Sequence, residues 1–222
     1  MALKDFDEQF ESTGYDETSA GVGSNWTEEY GSPDSDEPTS GVTGAPNDWD
    51  DYCLHLPTGT NRIYNSMDSG YADLYLRVEV IFSSISNTSY QEVFQATWSG
   101  IGQIVCYVKE ASGSYYLASK LDESNNSPDQ EISLNTRYRL EYHWDSGATS
   151  YWRIDDADVY NDTAVGRSGI DRLYIGAIGT NYVVYVDNVA YGDTDWIGSE
   201  SGGGGGGSIV PIVTNLQRRR RG

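Results

Sequence analysis

Along residues 1–200, short runs of alternating apolar and polar positions recur, broken by Gly, Asn, Asp and Ser, while helical periodicity is almost absent. The clearest runs cover residues 74–82, 93–98, 103–109, 115–120, 137–144, 150–154, 172–175 and 182–190. Side chains of a strand alternate between its two faces, so this pattern predicts an all-β fold built as an antiparallel sandwich. In the run from Tyr138 to Trp144, Tyr138, Leu140, Tyr142 and Trp144 point one way and Arg139, Glu141 and His143 the other. One wet face is therefore expected for this strand. The turn residues Asp145, Ser146, Gly147 and Ala148 then reverse the chain into Tyr151, Trp152, Arg153 and Ile154, predicting a hairpin.

The first fifty residues are less regular. Phe6 and Phe10 suit an initial strand, and the Gly-, Ser-, Pro- and acid-rich stretch 14–46 reads as long loops held to the body by Trp26 and Tyr30. No internal repeat with a period of 20–50 residues is evident.

Composition narrows the functional classes. The chain has 222 residues with a formal charge of −20, long enough for one large β domain or two small ones without disulfide or metal staples. That charge argues against binding nucleic acid or an anionic membrane. No run approaches the length of a membrane-spanning helix, and the opening residues lack the basic and apolar regions of a secretory signal, so synthesis and folding in a cytoplasm are expected. Cys53 and Cys106 sit in no C-x-x-C or Cys/His cluster and read as buried thiols; with His55 and His143 the only histidines, material for most zinc or His-based catalytic sites is lacking.

The charge is uneven. Residues 1–51 hold 14 acids and the single base Lys4, whereas the last 22 residues hold no acid and four consecutive arginines. Six glycines, 202–207, precede the sequence SIVPIVTNLQRRRRG. Polyglycine retains high backbone entropy and cannot pack a core, so the expected organisation is a sandwich over 1–200, a flexible linker over 201–207 and a docking tail over 208–222. In that tail Ile209, Val210, Ile212, Val213 and Leu216 supply an apolar segment, and Arg218, Arg219, Arg220 and Arg221 a basic one. Its β-branched residues favour an extended strand, and Pro211 suits an edge. A partner surface is the economical explanation, set beside a disordered basic tail as the plainer one. Guanidinium groups pair bidentately with carboxylates, which points to an acidic protein surface, including that of a neighbouring copy.

Three stretches carry a family resemblance. The opening Phe6-Asp7-Glu8-Gln9-Phe10-Glu11, the hairpin of Arg137-Tyr138-Arg139-Leu140-Glu141-Tyr142-His143-Trp144-Asp145 with Tyr151-Trp152-Arg153-Ile154-Asp155, and the closing Tyr185-Val186-Asp187-Asn188-Val189-Ala190 resemble the concanavalin A-like lectin/glucanase superfamily. They are most similar to its laminin-G-like jelly rolls of the phage and virion structural type. The resemblance implies a two-sheet antiparallel jelly roll, to which the glycine run adds a tethered C-terminal arm. That fold hosts lectins, hydrolases, adhesion modules and coat proteins, so the site must decide among them.

The glycosidase branch of this superfamily carries Glu-x-Asp-x-x-Glu on one strand, and that motif is missing. Glu141 and His143 share a strand face without a third acid in register, which reads as a polar face and predicts no enzymatic activity. Asp155, Asp156 and Asp158, with Asn161 and Asp162, offer oxygens to calcium, beside the plainer reading of a solvated acidic turn; Asp187 and Asn188 are a second such pair. Trp98, Tyr116, Trp152 and Tyr182 are candidate ring platforms for a sugar, although most of the chain's 28 aromatics must serve packing. The expectation is a non-enzymatic structural or interaction protein: a virion (phage) decoration or tail-associated surface protein docked by its arm to capsid, tail or neighbouring subunits. The alternative is a carbohydrate-binding, lectin-like adhesion module recognising a cell-surface glycan.

Overall fold

The computed structural model describes residues 6–8, 27–30, 34–36, 43, 53–121, 126–163, 169–193 and 196. They form β1 (Phe6–Glu8), β2 (Thr27–Tyr30), β3 (Asp34–Asp36), β4 (Cys53–Leu56), β5 (Gly59–Tyr71), β6 (Asp73–Ile85), β7 (Gln91–Trp98) and β8 (Ile101–Ala111). Then follow β9 (Ser114–Leu121), β10 (Gln130–Ile132), β11 (Arg137–Asp145), β12 (Thr149–Ile154), β13 (Ala157–Thr163), β14 (Ile170–Thr180) and β15 (Tyr182–Gly192). Each of the eight alternating runs lies within one of these strands. Phe10, Trp26, the glycine linker and the whole tail, including Ile209, Val210, Ile212, Val213, Leu216 and the four arginines, lie outside the described residues.

Two antiparallel sheets face each other. One has eight strands in the order β13-β12-β11-β6-β15-β4-β3, with β1 also on β15; the other has seven, in the order β10-β9-β8-β7-β14-β5-β2. Between them lies one apolar layer: Leu74, Leu76, Val78, Val80, Leu140, Tyr142, Trp144 and Trp152 from the first sheet meet Ile63, Phe94, Ile104, Cys106, Leu117, Leu173 and Ile175 from the second. Aromatic rings interlock there, with Phe94 edge-on to Tyr142 and Trp152 stacked beyond it. Alternating strands that bury one face against another sheet satisfy their backbones and the hydrophobic effect together.

Three turns connect strands through two residues with positive φ: Ser99-Gly100, Ser112-Gly113 and Asp155-Asp156. Such paired left-handed residues match the right-handed twist of the strands they join, and Gly and Asp tolerate them. The expected hairpin turn after Asp145 also forms: Gly147 N–H donates to the Asp145 carboxylate at 2.8 Å, and β12 returns with Tyr142 opposite Trp152.

Strands β4, β5 and β13 had no clear signature. In β5, the inward positions Asn61 and Asn65 interrupt the apolar face, each paid for by a hydrogen bond: Asn61 donates to the Pro57 carbonyl at 2.8 Å, and Tyr191 O–H donates to Asn65 at 2.9 Å. Strand β13 replaces the acidic loop expected at this place. Only Asp155 and Asp156 turn the chain; Asp158 and Asp162 sit on a strand paired with β12.

The expected wet face of β11 is also corrected. Arg139 and Glu141 are buried, as are Arg77 and Glu79 across from them on β6. Register explains it, because Arg139 lies opposite Glu79 and Glu141 opposite Arg77, so opposite charges meet on successive rungs. Arg137 pairs with Glu79 at 2.9 Å, and Arg77 donates to the Asn188 carbonyl at 2.9 Å where β15 bulges. Asn188, at a φ of 50°, also donates to Glu79.

Two consequences are measurable. Burial pushes the Cys106 thiol from 9.0 up to about 12, against a smaller opposing effect of its hydrogen bond with Tyr142. Burial likewise raises the phenols of Tyr142 and Tyr182 well above their ordinary range. All three hold protons more tightly folded than unfolded. Their contribution is therefore intact below about pH 9 and is lost as pH rises further, by up to ~1.4 kcal/mol per pH unit per group. Urea titrations from pH 7 to 11 should show a plateau and then this fall, with both thiols unreactive to a thiol reagent until unfolding. Gly176, at a φ of 85°, faces the Asn61 carbonyl so closely that a Cβ would overlap it. Gly176→Ala should cost at least ~2 kcal/mol in the same titration at pH 7, since strain and backbone collision add.

Candidate functional site

The outer face of the seven-stranded sheet is built by positions alternating with the core set. On β14 and β5, Tyr174 lies opposite Tyr64, Arg172 opposite Ser66 and Gly176 opposite Arg62. On β7 and β8, Gln95 lies opposite Val105 and Glu92 opposite Tyr107; on β9, Tyr116 lies opposite Lys109. Aromatic and cationic side chains thereby gather on one surface of a strongly acidic chain.

Their contacts are specific. The Arg62 guanidinium sits 3.8 Å above the Tyr174 ring, and Arg172 lies 4.9 Å from the Tyr64 ring centre while donating to Tyr174 Oη at 2.8 Å. The two tyrosine rings are 5.7 Å apart. Farther across the sheet, Lys109 Nζ is 4.1 Å from the Tyr90 ring and 5.8 Å from that of Tyr116, and it forms an ion pair with Asp129 at 2.7 Å. Tyr90 O–H donates to the same carboxylate. Cations held over ring faces stay fixed in direction and still present donors.

Between the two groups runs a groove of about 330 Å³, lined by Arg62, Tyr90, Gln91, Glu92, Ala177, Ile178 and Thr180. Its wall is braced, since the Gln91 amide donates to the Gly179 carbonyl at 3.2 Å and accepts from Asn181 N–H at 2.8 Å. Ile178 stands 62% exposed at the rim, and Tyr90 is exposed beside it. Burial raises the Glu92 carboxyl above its usual range, with Arg62 pulling the other way. The groove thus offers ring and aliphatic surface next to a guanidinium, an amide, a hydroxyl and one carboxyl, a combination suited to a polyhydroxylated ligand.

The sequence candidates distribute differently. Tyr116 lies on this face, and Trp98 is half-buried at the end of β7, with Gly70 pressed under its ring. Trp152, at 0% exposure, and Tyr182, at 1%, belong to the core and can offer no ring to a ligand. Tyr182 serves instead as an internal tie, its O–H donating to the Glu92 carbonyl at 2.5 Å. Arg62, Tyr64, Tyr90, Glu92, Arg172 and Tyr174 were not singled out, because Arg62 and Tyr174 meet only through the register of β5 and β14.

The acidic candidates are engaged by arginines. Asp156 pairs with Arg139, and Asp158 with Arg153 at 2.5 Å, while Asp155 accepts from Arg139 N–H at 2.9 Å. A different group, Asp73, His143 and Asp145, brings three potential metal-ligating atoms within 4.8 Å of one another on the outer face of the eight-stranded sheet. There His143 bonds Asp73 at 2.8 Å and stacks on Tyr75 at 4.2 Å, and Trp196 packs edge-on to both rings.

No protein-family model matches the chain, and no curated protein matches it. Among solved structures, the fold is similar to a conserved carbohydrate esterase from the Shiga toxin-encoding bacteriophage phi24B, with 13% identity, a TM-score of 0.59 and coverage of 88% of this chain and 100% of that one. It is equally similar to the cellulose induced protein Cip1, at 14% identity and TM-score 0.59 over 87% of this chain and 99% of the other. The receptor binding domain of botulinum neurotoxin D aligns at 9% identity and TM-score 0.52, over 86% of this chain and 49% of that one. At these identities the likeness establishes the shared two-sheet sandwich.

Core and surface aromatics should separate cleanly in a stability assay. Trp152→Ala should cost about 3–5 kcal/mol by emptying the sandwich, whereas Tyr90→Ala should change stability by less than about 1 kcal/mol because its ring is exposed.

Proposed function

We propose that this chain is a non-enzymatic carbohydrate-binding module that uses the outer face of its seven-stranded sheet. The observation that carries this reading is the groove between the Tyr90–Lys109 pair and the stacked Arg62–Tyr174 pair. Rings stack on the apolar side of a pyranose, while arginine, glutamine and threonine take its hydroxyls. Among the groove's lining residues Glu92 is the one carboxylate. Retaining and inverting glycosidases both use a carboxyl pair at a set spacing, so this lining favours binding over hydrolysis. Among the solved structures of similar fold is one named for a carbohydrate esterase, which supports a sugar ligand.

A second reading concerns attachment. The six-glycine tether and the apolar-then-basic peptide beyond it favour a module joined to a larger particle, such as a virion surface or tail, or to neighbouring subunits. Display of a glycan-binding module on a particle unites the two readings, with synthesis in the host cytoplasm.

A glycan array probed with the full chain, followed by calorimetry on the best hit, tests the main proposal. Saturable binding is expected, weakened about tenfold, or ~1.4 kcal/mol, by Tyr90→Ala or by Arg62→Ala. Binding that is indifferent to both substitutions would remove this face as the site, and turnover of a bound glycan abolished by Glu92→Gln would replace the module with an enzyme.

A further inference from the structure

We propose that Asp73, His143 and Asp145 form a binding site for a divalent transition-metal ion, with zinc the best match. The site lies on the outer face of the eight-stranded sheet, so it is independent of the carbohydrate reading.

The register of β6 and β11 brings the three residues together. Four successive outer-face rungs of this pair are Arg139 opposite Glu79, Glu141 opposite Arg77, His143 opposite Tyr75 and Asp145 opposite Asp73. The first two join opposite charges. The last sets two carboxylates directly across from each other, a pairing that costs stability on its own. Among the described residues no lysine or arginine forms an ion pair with either acid; Asp73 bonds His143 at 2.8 Å, and Asp145 accepts from Gly147 N–H. Arg153, on β12, stands on the Glu141 rung and is engaged by Asp158 and by the Trp196 ring. A cation held between Asp73 and Asp145 would complete at this rung the neutralisation that arginines provide at the first two.

The imidazole is aimed by rings outside the cluster. Tyr75 stacks on His143 at 4.2 Å with 2° between the planes, Tyr151 lies parallel to it at 6.1 Å and 3°, and Trp196 meets it edge-on. The two tyrosines belong to the strands on either side of β11, so the ring is sandwiched between them. Its side chain is left only 15% exposed, with Nε2 directed at Asp73. A ligand group fixed in this way loses little further freedom when an ion binds.

Distances and donor types select the ion. One ligating atom from each residue lies within 4.8 Å of the other two. Around a tetrahedral zinc ion, nitrogen and oxygen ligands at ~2.0–2.2 Å stand about 3.3 Å apart, so only the wider separations must close. Asp73, 52% exposed, has room to make that turn. One imidazole nitrogen with two carboxylate oxygens suits zinc better than calcium or magnesium, which take oxygen ligands, and the set contains no thiolate to favour a softer ion. Three protein ligands leave the fourth position to water.

Calorimetry with zinc chloride on the full chain, first stripped of metal with a chelator, tests the proposal. One zinc ion per chain is expected to bind in the micromolar range or tighter, to raise the melting temperature, and to do both at least tenfold more tightly than calcium. Asp73→Asn should weaken zinc at least tenfold, whereas Asp156→Asn, which removes an exposed acid elsewhere on the chain, should leave it unchanged. Asp73 is half exposed, so this variant keeps the fold even where His143→Gln, which loses a stacked ring, does not. Long-range proton–nitrogen NMR gives a second readout, because His55 and His143 are the only histidines. Zinc should move the Nε2 signal of His143 and leave that of His55 in place. Binding only at millimolar zinc, equal weakening by the two Asp→Asn changes, calcium binding as tight as zinc, or a His143 signal that does not respond would each overturn the assignment.

Discussion

The register between β6 and β11 is the constraint from which the remainder of the eight-stranded sheet follows. Nine consecutive pairs, from Arg137 opposite Ile81 to Asp145 opposite Asp73, put Val78, Leu76 and Leu74 beside Leu140, Tyr142 and Trp144 on the inner face. The same pairs put Glu79 beside Arg139, Arg77 beside Glu141 and Tyr75 beside His143 on the outer face. A slip of one residue would turn the core outward and the charges inward, so burial of one face fixes the order of the other. Arg153 on β12 then falls opposite Glu141, and Asp158 on β13 opposite Arg153, so charge alternates across four strands.

That order explains how charged residues can be buried on a face that appears polar along any single strand. An isolated buried ion is costly, but each member here has an opposite charge on the adjacent rung; Glu79 and Arg77 gain further polar contacts from Asn188 and Arg137, and Arg139 pairs with Glu141 and Asp156. The network gives the sheet a preferred register as well as neutrality. It also leaves Asp155, Asp156 and Asp158 at the far edge, where acids remain open to solvent.

The seven-stranded sheet handles its outer face differently. Arginines and a lysine lie over tyrosine rings there, so the cations are held by ring faces and hydrogen bonds. Fixed guanidinium and ammonium groups there lie beside ring and aliphatic surface, whereas the opposite sheet pairs its charges with one another. This difference in outer faces is why the glycan site proposed above lies on the seven-stranded sheet.

How much was legible from residues alone depends on how local the cause was. Eight strands and the hairpin after Asp145 follow from alternation and turn chemistry, both properties of neighbours in sequence. Strand β5 was hidden because Asn61 and Asn65 take core positions whose partners, the Pro57 carbonyl and Tyr191, give no periodic signal. Trp152 was a sugar-platform candidate until the hairpin register set it against Tyr142 inside the core. The groove was illegible for the same physical reason that makes sheets slow to form: Arg62 and Tyr174 are far apart in the chain and meet only when non-local strands pair. By itself the sequence determined the all-β class and most strand faces, because these arise from local alternation and composition. The burial of the charge ladder, the loss of Trp152 and Tyr182 to the core, and the union of Arg62, Tyr90, Glu92 and Tyr174 around one groove were decided by strand register, which only the tertiary structure sets.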